Sequence, residues 1–209
     1  SLAASELSLF VSDEGDIGVG DLDKEIDLSK DELERISASI LNIGDETAGD
    51  IYVNDISAAN SAGISDLVRM ESSGDAGKIV FQGAGVSSTF NALEAVASDG
   101  IEVKVSLYSL LGDITLEGDS DNTIDTNDKV EIASSSTLVS ARDVNIDATN
   151  GGIVVNDDLV IEADRNISLN DILHISSELS LFADQNDSGE GAISTQGDII
   201  TNNNNINLR

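Results

Sequence analysis

The sequence predicts an all-β chain folded as a three-sided solenoid, with about 20 residues in each coil. Three observations carry this expectation. Short apolar-x-apolar triplets recur from one end of the chain to the other. In the last third they recur at a fixed period: Ile153, Leu173 and Ile193 are spaced by 20, as are Leu159, Leu179 and Ile199, while Ile167 and Ile206 lie 39 apart. The composition suits an unbroken ladder, because the 209 residues include no Pro and only 3% aromatics. Pro would remove a strand donor, and so few rings leave Ile, Val, Leu and Ala to form the core.

The triplets run in order as Leu7-Ser8-Leu9, Ile17-Gly18-Val19, Ile26-Asp27-Leu28, Ile51-Tyr52-Val53, Ile79-Val80-Phe81, Ile101-Glu102-Val103 and Ile114-Thr115-Leu116. The second half adds Val130-Glu131-Ile132, Val144-Asn145-Ile146, Ile153-Val154-Val155, Leu159-Val160-Ile161 and Ile167-Ser168-Leu169. Leu173-His174-Ile175, Leu179-Ser180-Leu181, Ile193-Ser194-Thr195, Ile199-Ile200-Thr201 and Ile206-Asn207-Leu208 close the series. Alternation with period two turns the outer residues of each triplet inward and the middle one outward. If every coil had this length, about ten coils would make a rod of roughly 50 Å. One expected triplet falls at the polar Asn186-Asp187-Ser188, which predicts a bulging loop.

The chain reads as one domain, 1–209, less regular over 1–111 and regular over 112–209. Ser29 and Glu32 form a capping-box pattern that predicts a short helix. Phe90–Val96 reads as a second helix, and Ile64–Met70 fits helix or strand. Both helices are expected to project from the stack. Gly83-Ala84-Gly85 and Gly151-Gly152 read as corners, and Asn202–Asn205 as a polar bend able to ladder with Asn one coil away. The hexapeptide from Ser5 to Phe10 returns letter for letter from Ser177 to Phe182, which suggests duplication.

Charge excludes some partners. Asp and Glu number 40 against 10 Lys and Arg, a formal net charge of −30. Nucleic acid would be repelled, and so would an anionic membrane surface. No segment is apolar enough to span a bilayer as a helix. No signal peptide is visible and the first residue is not Met, so the chain reads as a processed product or a slice of something longer.

Gly112-Asp113-Ile114-Thr115-Leu116, Asp143-Val144-Asn145-Ile146-Asp147-Ala148 and Gly197-Asp198-Ile199-Ile200-Thr201 resemble the repeats of filamentous-haemagglutinin-like exoproteins and of large bacterial surface proteins built from β-strand repeats. The likeness is best over 112–209. It implies a right-handed parallel β-helix, an extracellular or cell-surface location, and a role in adhesion, filaments or biofilm on a host or neighbouring cell.

Few residues offer chemistry. There is no Cys, and His174, the only histidine, should point outward as a solvated strand residue. A glycosidase would need paired carboxylates in a sugar groove, yet Trp is absent and the ten basic residues form no visible cluster. Calcium is the more serious ligand. Asp119, Asp121, Asp125 and Asp128 supply hard oxygens in one predicted loop, although the loop lacks the EF-hand Gly and Glu. An acidic surface loop is the plainer reading of the same residues. The expected function is a non-catalytic structural or adhesive segment of a large secreted or surface fibre. It would need no cofactor and would associate with itself or with neighbouring segments of the same polypeptide. A calcium-dependent surface-layer or adhesin module comes second, and a polysaccharide-acting β-helix enzyme third.

Overall fold

The computed structural model describes residues 4–11, 14–74, 76–85, 87–124 and 127–209. Three all-parallel sheets form the walls of a three-sided parallel β-helix. The first wall stacks Ala4–Leu9, Ala38–Asp45, Ile64–Ser72, Leu93–Ala97, Ile114–Glu117, Val144–Asp147, Ile167–Leu169 and Ile193–Thr195. The second begins with Ile26–Leu28 and Ile17–Val19. It continues through Ile51–Asn54, Ile79–Gln82, Ile101–Val103, Val130–Ile132, Ile153–Val155, Leu173–Ile175 and Ile199–Thr201. The third runs through Ser87–Phe90, Ser106–Ser109, Ser136–Ser140, Leu159–Ala163, Leu179–Phe182 and Ile206–Leu208.

The third wall is completed by helices. Helix α1 (Lys30–Leu33) and helix α2 (Ala58–Ser61) occupy its first two places, and α2 packs on both α1 and Ser87–Phe90. Asn60 Nδ2 donates to Glu34 Oε1 at 2.8 Å, and Ser61 Oγ donates to Thr89 O at 2.8 Å. Helix α1 is therefore wall, not the projection expected from the sequence, and α2, which the sequence reading did not expect, is wall beside it. Ser29 caps α1 through the predicted box, with Glu32 Oε2 accepting from Ser29 N at 3.0 Å. The box at Ser57 and Asn60 caps α2 in the same way. Phe90–Val96 is not a helix. Phe90 ends one strand and Leu93–Ala97 forms the next, with Leu93, Ala95 and Ala97 inward. Strand neighbours on both sides override the helical propensity of this Ala-rich segment. Ile64–Ser72 is a strand for the same reason.

The core is a single, mostly aliphatic column from Val11 to Leu181, with Phe81, Phe90 and Met70 in its first half. Its rows differ from the period of twenty. Ile153 pairs with Leu173, and Leu159 with Leu179, as expected. Beyond them the register lengthens: Leu173 pairs with Ile199, Leu179 with Ile206, and Ile167 with Ile193. Ile193 thus leaves the row of Ile153, Ile199 leaves the row of Leu159, and Ile167 and Ile206 sit in different walls. The cause is the predicted loop. Asp184 Oδ1 accepts from Ser188 N at 2.8 Å and Ser188 Oγ at 2.9 Å, closing a tight excursion that adds residues to the coil. Elsewhere one coil takes from 19 residues (Ser88 to Leu107) to 34 (Ile17 to Ile51). The described residues therefore make eight rungs of the first wall, not ten, and these span roughly 34 Å. In the last rung Ile193 is only half-buried and Ile199 is 42% exposed.

A repeated polar device locks successive coils. Asp16 precedes a strand, and its Oδ1 accepts from Asp50 N at 3.2 Å, the residue at the same position one coil on. Asp50 Oδ1 accepts from Lys78 N at 3.1 Å in turn. At the first wall, Asp113 Oδ1 accepts from Asp143 N, Asp143 Oδ1 from Asn166 N, and Asn166 Oδ1 from Ala192 N. At the third wall Asp158 Oδ1 accepts from Glu178 N at 3.2 Å. Corner N–H groups that no strand reaches are satisfied this way. The Asn202–Asn205 bend does a related job: Asn204 Nδ2 donates to Ile175 O at 3.3 Å, so the bend bonds to backbone and not to an Asn ladder.

Candidate functional site

Of the four carboxylates expected to bind calcium, two are buried. Asp119 is fully buried and Asp128 is 1% exposed. Asp119 Oδ2 accepts from Asn150 N at 2.8 Å and Asn150 Nδ2 at 2.7 Å, while Oδ1 has no hydrogen-bond partner. Burial pushes the Asp119 carboxyl above its usual range, the Asn150 bonds oppose the shift, and the charges of Asp128 and Asp121 add to it. Asp121 is exposed, and its Oδ1 accepts from Thr123 N at 2.9 Å. Asp125 lies outside the described residues. Among the described residues no three His, Cys, Asp or Glu side chains are grouped to hold a metal ion.

A second acidic feature lies beside this bend. Glu117 and Asp147 are partners one rung apart on the first wall. Burial raises both, and each also feels neighbouring negative charge, Glu117 from Asp147 and Asp147 from Asp171. Like charges on adjacent rungs are the local price of a −30 chain.

The fold makes a basic cluster that the sequence does not display. Three of the five lysines, Lys78, Lys104 and Lys129, flank successive strands of the second wall. Each is paired: Lys78 Nζ to Asp99 Oδ2 at 3.2 Å, Lys104 Nζ to Glu102 Oε2 at 2.7 Å, and Lys129 Nζ to Glu131 Oε2 at 2.7 Å. The register Ile79–Ile101–Val130 sets Lys78, Gly100 and Lys129 in one column, each just ahead of its strand. Only glycine fits the middle place: at φ +104° a side chain is strained, and a Cβ would collide with Asn127 O of the next coil. A cavity of about 170 Å³ lies against this column, lined by Lys78, Gly100 and Lys129 among others. The signal in the sequence was a Lys abutting a triplet three times, at Lys78-Ile79, Val103-Lys104 and Lys129-Val130. It is legible only once the coil lengths are known.

Below this cluster Lys24 sits 3.4 Å from the centre of the Tyr52 ring and 3.0 Å from Asp16 Oδ2. Tyr52 donates to Asp50 Oδ2 at 2.8 Å. Its phenol is pushed up to about 12 by burial, by that bond and by the charges of Asp50, Asp16 and Glu102. His174 points outward and is exposed, as expected. A cavity of about 660 Å³ lies between the 184–192 loop and Leu208–Arg209, at the end of the stack. Among the described residues no helix is long and apolar enough to cross a membrane. Compared with known proteins, the chain matches no family model, no curated protein and no solved structure.

Proposed function

We propose that this chain is a non-catalytic structural or adhesive segment of a large secreted or cell-surface fibre, which meets its neighbours by stacking coils. One observation carries the reading: the interior is a continuous apolar, mostly aliphatic column that runs through the coils. Such a column gives a stiff rod whose stability is a sum of neighbour contacts. Both ends of the described stack present apolar side chains, Leu7 at 40% and Phe10 at 62% exposure on one, Ile199 at 42% and Leu208 at 61% on the other. A further coil of the same polypeptide, or of another copy, would bury them and pair the strand edges. Electron micrographs with sedimentation of the native material test this. Elongated particles that lengthen end to end are expected, and short particles that remain monomeric at high concentration would rule out assembly by stacking.

A second reading, a calcium-dependent surface-layer or adhesin module, is favoured by the buried Asp119 Oδ1, which accepts no hydrogen bond and lies near the charge of Asp128. A hard cation would use that oxygen. Calcium should then raise the melting temperature by about a few degrees, chelator should reverse the gain, and Asp119→Asn should abolish the response. A melting curve indifferent to both reagents sinks this second reading.

A further inference from the structure

We infer that the cavity on the outer face of the second wall is a subsite for one neutral sugar ring of a glycan. The inference adds to the adhesive reading a ligand class and a place, and it rests on that reading only for its biological setting. Lys78 and Lys129 stand two rungs apart, roughly 9.6 Å between backbones, with Gly100 between them. Asp99, Glu102 and Glu131 line the cavity too, with Val80, Ile101 and Asn127. At about 170 Å³ the space is small beside a drug-sized pocket and suits a single ring.

The chemistry of the lining selects the ligand. Each ammonium has three N–H donors and each carboxylate has spare lone pairs. Beside the ion pairs at 3.2 Å and 2.7 Å, Asp99 Oδ2 also accepts from Asn127 Nδ2 and Glu131 Oε1 from Asn156 Nδ2, which leaves ammonium donors and the remaining carboxylate lone pairs side by side. A vicinal diol needs that arrangement, because each hydroxyl both donates and accepts. The lysine and glutamate side chains here are 22–39% exposed, so they are reachable from solvent, while Asp99 at 11% anchors the floor. An anionic sugar is disfavoured. Every lysine in the cluster is already neutralised, and the chain around it carries a net charge of −30. Uronates and sulfated sugars would meet that field at close range.

The test is an amide-shift titration of the whole protein with cellobiose, lactose and N,N′-diacetylchitobiose, and with trigalacturonate as the acidic control. At least one neutral disaccharide should shift amides around Gly100 and Lys129 at millimolar concentration, and trigalacturonate should not. Lys129→Ala and Glu102→Gln should each weaken that binding about tenfold, with shifts of distant core amides unchanged. Absence of any response to the neutral sugars would overturn the inference. So would binding that both variants retain, or tighter binding of the acidic trimer. Sedimentation of the same variants separates the two readings: sugar binding lost with stacking intact speaks only about the pocket, and stacking lost with sugar binding intact speaks only about the fibre.

Discussion

Asp143 shows at the residue scale why so acidic a chain holds together. Its Oδ1 accepts from Asn166 N and Asn166 Nδ2, both at 2.9 Å, and its own N–H donates to Asp113 Oδ1 at 3.0 Å. Charge-assisted bonds to otherwise unmet N–H groups outweigh the neutral ones of the ladder. Asp143→Ala should cost about 2 kcal/mol, read as a lower urea midpoint, with Asp143→Asn recovering much of the loss. An unchanged midpoint for the alanine variant would deny the locking role. Other carboxylates pull the opposite way. Glu117, Asp119 and Asp147 have pKa values raised in the fold, first by burial. A raised carboxyl holds its proton more tightly folded than unfolded. Its stabilising contribution is complete below the ordinary carboxylate range and disappears as pH rises through the folded value. Glu32 and Asp157 are lowered by hydrogen bonds, chiefly from Ser29 and from Asp158, and lose that support only below the ordinary range. The melting temperature should therefore rise as pH falls from about 7 towards about 5. A steady fall across that window would contradict the assignment.

At the scale of elements, the third wall changes from helix to strand without interrupting the column. Leu33 from α1 and Ile56 beside α2 enter the same core as Phe90 and Leu107. A four-residue helix has no stability of its own, so each depends on its cap and its packing. Ser57 Oγ accepts from Asn60 N at 3.3 Å, and α2 is held between two rungs. Ser57→Ala should cost about 1 kcal/mol. Ser29→Ala should cost less, because α1 sits on the end rung with one neighbour. Equal losses measured by urea titration would place the two helices outside the cooperative stack. Coil length is set at the corners, where a bend such as 184–192 adds residues while the strand rows stay aligned.

For the whole molecule, the balance lies between an apolar column and a charge of −30. Self-repulsion acts over a Debye length, which shrinks from about 30 Å at about 0.01 M salt to about 10 Å at about 0.1 M. The rod is itself only a few tens of ångströms long, so added salt should screen most of that repulsion. The melting temperature should rise over this range in sodium chloride, and end-on association should strengthen with it. Insensitivity to salt would mean that the surface carboxylates already carry bound counterions or protons.

The sequence by itself determined the strand triplets, their inward and outward faces, the capped helix at Ser29, the loop at Asn186–Ser188 and the outward His174. These follow from periods of two and from local caps, which need only neighbours along the chain. It did not determine which triplet lies on which. That depends on how many residues each corner absorbs, and the two correct rows, Ile153–Leu173 and Leu159–Leu179, are those whose coil is free of an excursion. The burial of Asp119, the place of the helices in the third wall and the meeting of Lys78, Gly100 and Lys129 all hang on that count. Residues more than twenty positions apart become neighbours only through the register, and the register is fixed by the stacked core as a whole.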